Sequence, residues 1–160
     1  MSRNLIVIFI IVLLFISCKK YGCDSEFIFD GITERDERGQ LIKDENADWT
    51  LKDKWGDTEK SLFDTTYNTT CYAPSKYTIS VHPNPTSGPF QVNFTKSAAM
   101  HVDMRLVDAD CNVITSIDDI RANSYGMQVN LDKSKIVRLY YRFIEDGCEY
   151  QGHGDILVRK

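Results

Sequence analysis

The chain has 160 residues, 26 % of them charged, with 19 basic against 23 acidic side chains and a formal net charge of −4. That length accommodates one domain, or one domain and an extension. The mild acidity favours solubility and excludes a surface that tracks phosphates, so no nucleic-acid partner is expected.

The first element is the unbroken apolar run Leu5 to Ile16, which follows Arg3 and stops at Ser17-Cys18-Lys19-Lys20. It is too short for a bilayer-spanning helix, which needs about 20 residues. A charged start, an apolar core and the small Ser17 before Cys18 are the parts of a signal peptide, placed at residues 1–17. Phe15-Ile16-Ser17-Cys18 resembles a bacterial lipobox. On that reading Cys18 becomes the acylated first residue and a lipid anchor to the outer membrane, each buried methylene contributing about 0.8 kcal/mol. An ordinary secretory signal, with Cys18 incidental, is the alternative. Loss of Arg3 with the signal moves the formal charge from −4 to −5.

Four cysteines follow: Cys23, Cys71, Cys111 and Cys148. In an exported chain an even number points to disulfides, with zinc ligation as the rival. Their long spacings favour disulfides, since they contain no CxxC-like pair.

Residues 18–76 read as an irregular, aromatic-bearing extension. Phe27-Ile28-Phe29 and Gly31-Ile32-Thr33 have strand character, and Glu37 to Gln40 form a turn into Leu41-Ile42. Thr58 to Phe63 fits a short helix with Asp57 as its N-cap. Trp49 and Trp55 are expected to pack on the remainder of the chain. Asp44, Glu45, Asn46 and Asp48 are rich in oxygen but lack the glycine a calcium loop needs, which leaves a solvated acidic loop as the simpler reading.

From Tyr77 onward apolar residues recur at every second position: Tyr77-Ile79-Val81, Phe90-Val92-Phe94, Val102-Met104-Leu106, Met127-Val129-Leu131 and Val137-Leu139-Tyr141-Phe143. Period two means half-buried antiparallel strands. Turn residues separate them, including Pro83-Asn84-Pro85, Asp108-Ala109-Asp110 and Asp146-Gly147. With Val113 to Ile117 and Ile156 to Val158 the expectation is seven strands in two layers, because each apolar face needs another to cover it.

Val81-His82-Pro83-Asn84-Pro85-Thr86-Ser87-Gly88 and the alternating strand after it resemble the opening of the C-terminal sorting domain of type IX secretion cargo. The chain's end, Asp155-Ile156-Leu157-Val158-Arg159-Lys160, matches that family's terminal strand with a basic residue. The resemblance covers residues 77–160 and implies a seven-stranded immunoglobulin-like sandwich that serves as an export address. Pro83, Asn84, Pro85 and Gly88 are the residues that match its motif.

Two weaker features remain. His153 and Asp155 sit two apart in Gly152-His153-Gly154-Asp155, which suits a metal or an acid–base pair if the segment is a strand. A structural turn, with the glycines marking a bulge, accounts for the same residues. If every turn after Tyr77 reverses the chain, Cys71 and Cys148 meet at one end of the sandwich and Cys23 is left with Cys111, whereas Cys111–Cys148 would span a strand's length.

The leading expectation is a non-enzymatic, lipid-anchored protein of the cell envelope, without cofactor or metal. Its all-β sandwich would be a binding or structural module for an envelope protein or a glycan. The alternative is type IX cargo that engages secretion machinery through residues 77–160.

Overall fold

A computed structural model of the protein describes residues 31–52, 55–67, 71 and 77–160. The signal segment, Cys18, Cys23, Phe27 to Phe29 and Tyr72 lie outside the described residues. The elements run β1 (Glu34–Arg35), β2 (Leu41–Lys43), β3 (Thr50–Lys52), α1 (Asp57–Ser61), β4 (Thr78–His82), β5 (Pro89–Thr95), β6 (His101–Val107), β7 (Val113–Ile120), β8 (Ser124–Gln128), β9 (Lys135–Glu145) and β10 (Cys148–Val158). They form a two-stranded β1-β2 ribbon, a five-stranded sheet ordered β3-β10-β9-β6-β7 and a three-stranded sheet ordered β4-β5-β8. All of these strand pairs are antiparallel.

The chain is thus an all-β sandwich, with ten described strands in three sheets rather than seven in two. The difference comes from the extension, which is less irregular than its polar sequence implies. Its turn at Glu37 to Gln40 closes the β1-β2 ribbon, held by hydrogen bonds from Arg38 N and Gln40 N to Asp36 Oδ1. Its β3 adds an edge strand to β10. Gly31 to Thr33 are not a strand; Ile32 and Thr33 are buried just ahead of β1. The helix begins one residue earlier than expected, with Gly56 as its N-cap and no side-chain cap bond, so Asp57 acts in the first turn instead.

Between the two larger sheets, Ile79, Val81, Val92 and Phe94 from one layer meet Val102, Met104, Leu139, Tyr141 and Phe143 from the other. These are the period-two positions, and alternation is the reason they share one face. The opposite face of the three-stranded sheet presents Ser80 and His82, Gln91, Asn93 and Thr95, and Ser124, Gly126 and Gln128. Strand β8 stops at Gln128, earlier than the apolar pattern to Leu131 implies. There Val129 N donates to Gly88 O across the turn after the Pro-Asn-Pro run, while the Val129 side chain stays buried.

The hairpin β9-β10 keeps an unbroken register from Glu145–Cys148 to Lys135–Val158. Asp146 and Gly147 both adopt positive φ (50° and 78°), the conformation a tight two-residue hairpin turn needs. No bulge interrupts β10 at Gly152 or Gly154, contrary to the sequence reading. The glycines make room instead. A Cβ on Gly154 would stand 2.3 Å from Trp49 Cδ2, and one on Gly152 would stand 2.5 Å from the Tyr141 hydroxyl. Trp49 and Tyr141 stack with centroids 6.4 Å apart, so the extension inserts a ring into the main core.

Gly154→Ala should therefore cost about 1–3 kcal/mol through overpacking. In a Trp49→Ala background the same change should add little, because the obstructing ring is gone. Gly126→Ala, where an added Cβ meets nothing within 4 Å, is the neutral control. Urea unfolding of these variants measures the coupling; strictly additive losses would rule the contact out.

Candidate functional site

The Pro83-Asn84-Pro85 run is a joint between three parts of the chain. Asn84 is wholly buried. Its Nδ2 donates to Thr33 O of the extension and to Asp155 O of the last strand, both at 2.9 Å, and its Oδ1 accepts from Leu157 N at 3.0 Å. Its backbone exchanges two hydrogen bonds with Arg35. Thr86 continues the joint: its N donates to Leu157 O, and its O accepts from Arg159 N. The Thr86 hydroxyl donates to Pro89 O and accepts from Gly88 N. Gly88 has φ +138°, and a Cβ there would stand 2.9 Å from Val129 O, so a glycine is required on two counts.

Asp48 reinforces the joint from the other side. Its two carboxylate oxygens accept from Thr33 N at 2.8 Å and from Asp155 N at 3.0 Å. The acidic run is therefore divided. Asp44 and Asn46 are exposed, whereas Asp48 is a buried structural acceptor rather than part of a solvated loop. Among the described residues no group of three or more His, Cys, Asp or Glu could hold a metal ion.

The outward face of β6, β9 and β10 carries a buried ion lattice, which a reading of half-buried strands does not anticipate. Arg142 donates from Nε and Nη2 to Asp103 Oδ2 at 3.0 and 2.8 Å, and from Nη1 to Glu149 Oε2 at 3.3 Å. It also donates to the Thr65 carbonyl and hydroxyl. Arg138 grips Asp155 with two parallel bonds, Nε to Oδ1 at 2.7 Å and Nη2 to Oδ2 at 2.8 Å. Arg105 donates to Leu62 O and to Asp118 Oδ1. The Phe63 ring is packed between Arg105 and Arg142, at 4.7 and 4.5 Å from the two guanidinium carbons. Trp55, Phe63, Val107 and Tyr140 make a second small core under this cover. These charges are buried because residues 55–67 lie across the sheet.

His153 and Asp155 do share a face, in the middle of β10 rather than in a turn. They are not coupled. Asp155 is taken by Arg138, and His153 Nδ1 has no hydrogen-bond partner among the described residues. Burial, then the nearby charges of Arg138 and Lys52, push the imidazole down to about 3. His153 packs edge-on to Tyr140 as a neutral ring.

Burial also pushes the Asp48 carboxyl up to about 6, against the hydrogen bond from Thr33. The two groups act on stability with opposite signs. Between its unfolded value of 3.8 and about 6 the folded chain keeps an Asp48 proton that the unfolded chain has shed, so stability rises as pH falls and this contribution is lost as pH rises through about 6. Between about 3 and 6.5 the unfolded His153 binds a proton that the folded one refuses, so stability falls as pH falls. The two nearly cancel from about pH 6 to 4. His153→Gln should then make the melting temperature rise relative to wild type on acidification across that window, and Asp48→Asn should make it fall. Parallel pH profiles for all three proteins would refute the assignment.

Cys71 and Cys148 form a disulfide with Cα atoms 5.9 Å apart, the pairing expected from chain reversal. It fastens the end of the extension to the start of β10, closing a loop of 77 residues. Cys111 sits at the β6-β7 turn, where Asp108 Oδ1 accepts from Asp110 N and Asn112 N; the pairing expected for it involves Cys23, outside the described residues.

Two concave surfaces accompany these features. A groove of about 620 Å³ lies beside the Pro-Asn-Pro joint, between Glu37 of the β1-β2 turn and the face of the three-stranded sheet. A cleft of about 360 Å³, lined by Tyr67, His101, Asp118 and Arg121 among others, opens onto the edge of the ion lattice. Comparison of the chain with family models, curated proteins and solved structures finds no match.

Proposed function

We propose that the chain is a non-enzymatic lipoprotein of the cell envelope, anchored to the outer membrane through acylated Cys18. Its immunoglobulin-like seven-stranded unit, residues 77–160, is a retained binding or structural body. The observation that carries this reading is the joint at Asn84, which ties the extension and the last strand to the Pro-Asn-Pro run. A segment removed after export would have to separate cleanly from what precedes it. Here its removal would withdraw Trp49 from the core, unpair β3 from β10 and break the cover over the ion lattice. The commitment of Asp155 to Arg138, which denies His153 a carboxylate partner, supports a non-catalytic role.

The test is metabolic labelling with a palmitate analogue, together with the intact mass of the mature protein. Label that disappears in Cys18→Ser, on a protein that still ends at Lys160, is the expected result. Unlabelled protein, or mature protein lacking residues 77–160, would overturn the reading. The Pro83-Asn84-Pro85-Thr86-Ser87-Gly88 run favours a second reading, type IX cargo in which residues 77–160 direct export. A reporter brought to the cell surface by residues 77–160 would establish that alternative, with a 31–160 fusion as the control that retains the whole joint.

A further inference from the structure

The outward face of β4, β5 and β8 carries no Asp, Glu, Lys or Arg. At the chain's composition, 26 % charged, about a quarter of such positions would be. Two rungs cross it side by side, His82–Gln91–Gly126 and Ser80–Asn93–Ser124. The other sheet's outward face is dense with charge and lies under the extension; this one presents hydroxyl and amide groups and the His82 ring, exposed at Gln91, Ser124 and Gly126 and half-buried at Ser80, His82 and Asn93.

The asymmetry has a physical consequence for partners. A charge stripped of water against a neutral partner is costly unless it is paired, whereas hydroxyls and amides desolvate at much lower cost and offer both donors and acceptors. The 620 Å³ groove at the end of this face falls in the size range of small-molecule sites. Pro83 and Pro89 give it an apolar wall, and Gln91 gives it an amide. Nothing stands within 4 Å of where a Gly126 Cβ would be, so backbone is open to a ligand at its floor. Among the described residues Glu37 is the single Asp, Glu, Lys or Arg lining it, an acceptor for two adjacent hydroxyls.

We propose that this face and its groove bind a neutral oligosaccharide. Hydroxyls of the sugar meet the two rungs, its C–H surface lies on the proline wall, and Glu37 accepts from a vicinal pair. This rests on the reading of the sandwich as a binding body and names its ligand class.

The test applies the detergent-solubilised mature protein to an array of immobilised neutral and acidic oligosaccharides. Retention on neutral members, with none on uronic-acid or sulfated ones, is expected. Gln91→Glu and Ser124→Asp, both at exposed positions, should each lower retention about ten-fold or more, a change of about 1.4 kcal/mol, with unaltered melting temperature. Glu37→Gln should weaken it as well. No retention on any neutral member, equal retention on acidic ones, or full retention by Gln91→Glu would overturn the proposal. So would a wild-type dimer that Ser124→Asp dissociates, which would make a second copy of the chain the occupant. Failure on the array with palmitate still on Cys18 would remove the ligand class and leave the lipoprotein reading standing.

Discussion

Arg142→Met should destabilise the fold by about 3–5 kcal/mol, the range for breaking a buried ion pair by removing one partner. The side chain is 4 % exposed, and its partners Asp103 and Glu149 are 7 % and 6 % exposed. Methionine fills similar volume and leaves an apolar side chain beside Phe63, so the loss comes mainly from two carboxylates left in an apolar setting. Burial already pushes the Glu149 carboxyl up, and the charge of Arg142 is the strongest influence opposing that. Arg142→Lys should lose less, since it keeps the charge but not the planar fork that reaches Asp103 and Thr65 together. The control is Arg121→Met, which breaks the pair with Asp119, 61 % and 62 % exposed, and should change stability by only about 0–1 kcal/mol. Urea unfolding of the three variants decides it. Equal losses for Arg142→Met and Arg121→Met would show that the lattice is solvated.

Asn84→Asp should be comparably severe, by about 3 kcal/mol or more, although the shape scarcely changes. The amide nitrogen now points at two carbonyl oxygens, Thr33 O and Asp155 O; an ionised carboxylate there faces both with like partial charge and cannot donate. Hydrogen exchange is the sharper readout. The amides of Arg35 and Leu157 belong to distant segments but hang on this one residue. Both should exchange faster in the variant, and acid pH should restore part of the protection by protonating the new carboxyl. Loosening confined to one of the two segments would show that Asn84 is not a shared joint.

Much of the sandwich is legible because strand alternation is a local property. Val102, Met104 and Leu106 must share a face whatever lies opposite, and Asp146-Gly147 forms a tight hairpin turn from its own backbone preferences. Asp103, Arg105, Arg138 and Arg142 were equally legible as outward positions, but outward does not mean solvated. Period two says which side a residue takes and nothing about what covers that side. A usable signal was present: β6 and β9 place opposite charges on the same face, at Asp103 and Arg142 directly across the ladder. Such complementarity marks pairs that survive burial. Gly152 and Gly154 were read as a bulge because a glycine inside a strand has two explanations, and only the position of Trp49 chooses between them.

By itself the sequence determined the apolar run from Leu5 to Ile16 ahead of Cys18, the antiparallel strands from Tyr77 onward, and the ends that Cys71 and Cys148 must share. Each rests on neighbours in the chain or on counting reversals. Tertiary structure alone decided that β3 and Trp49 complete the sandwich, that Asn84 joins segments about 50 and 70 residues away, and that a charged sheet face is interior while a neutral one is left to water. Those outcomes depend on which surfaces meet, and contact between segments far apart in sequence leaves no periodic trace in either of them.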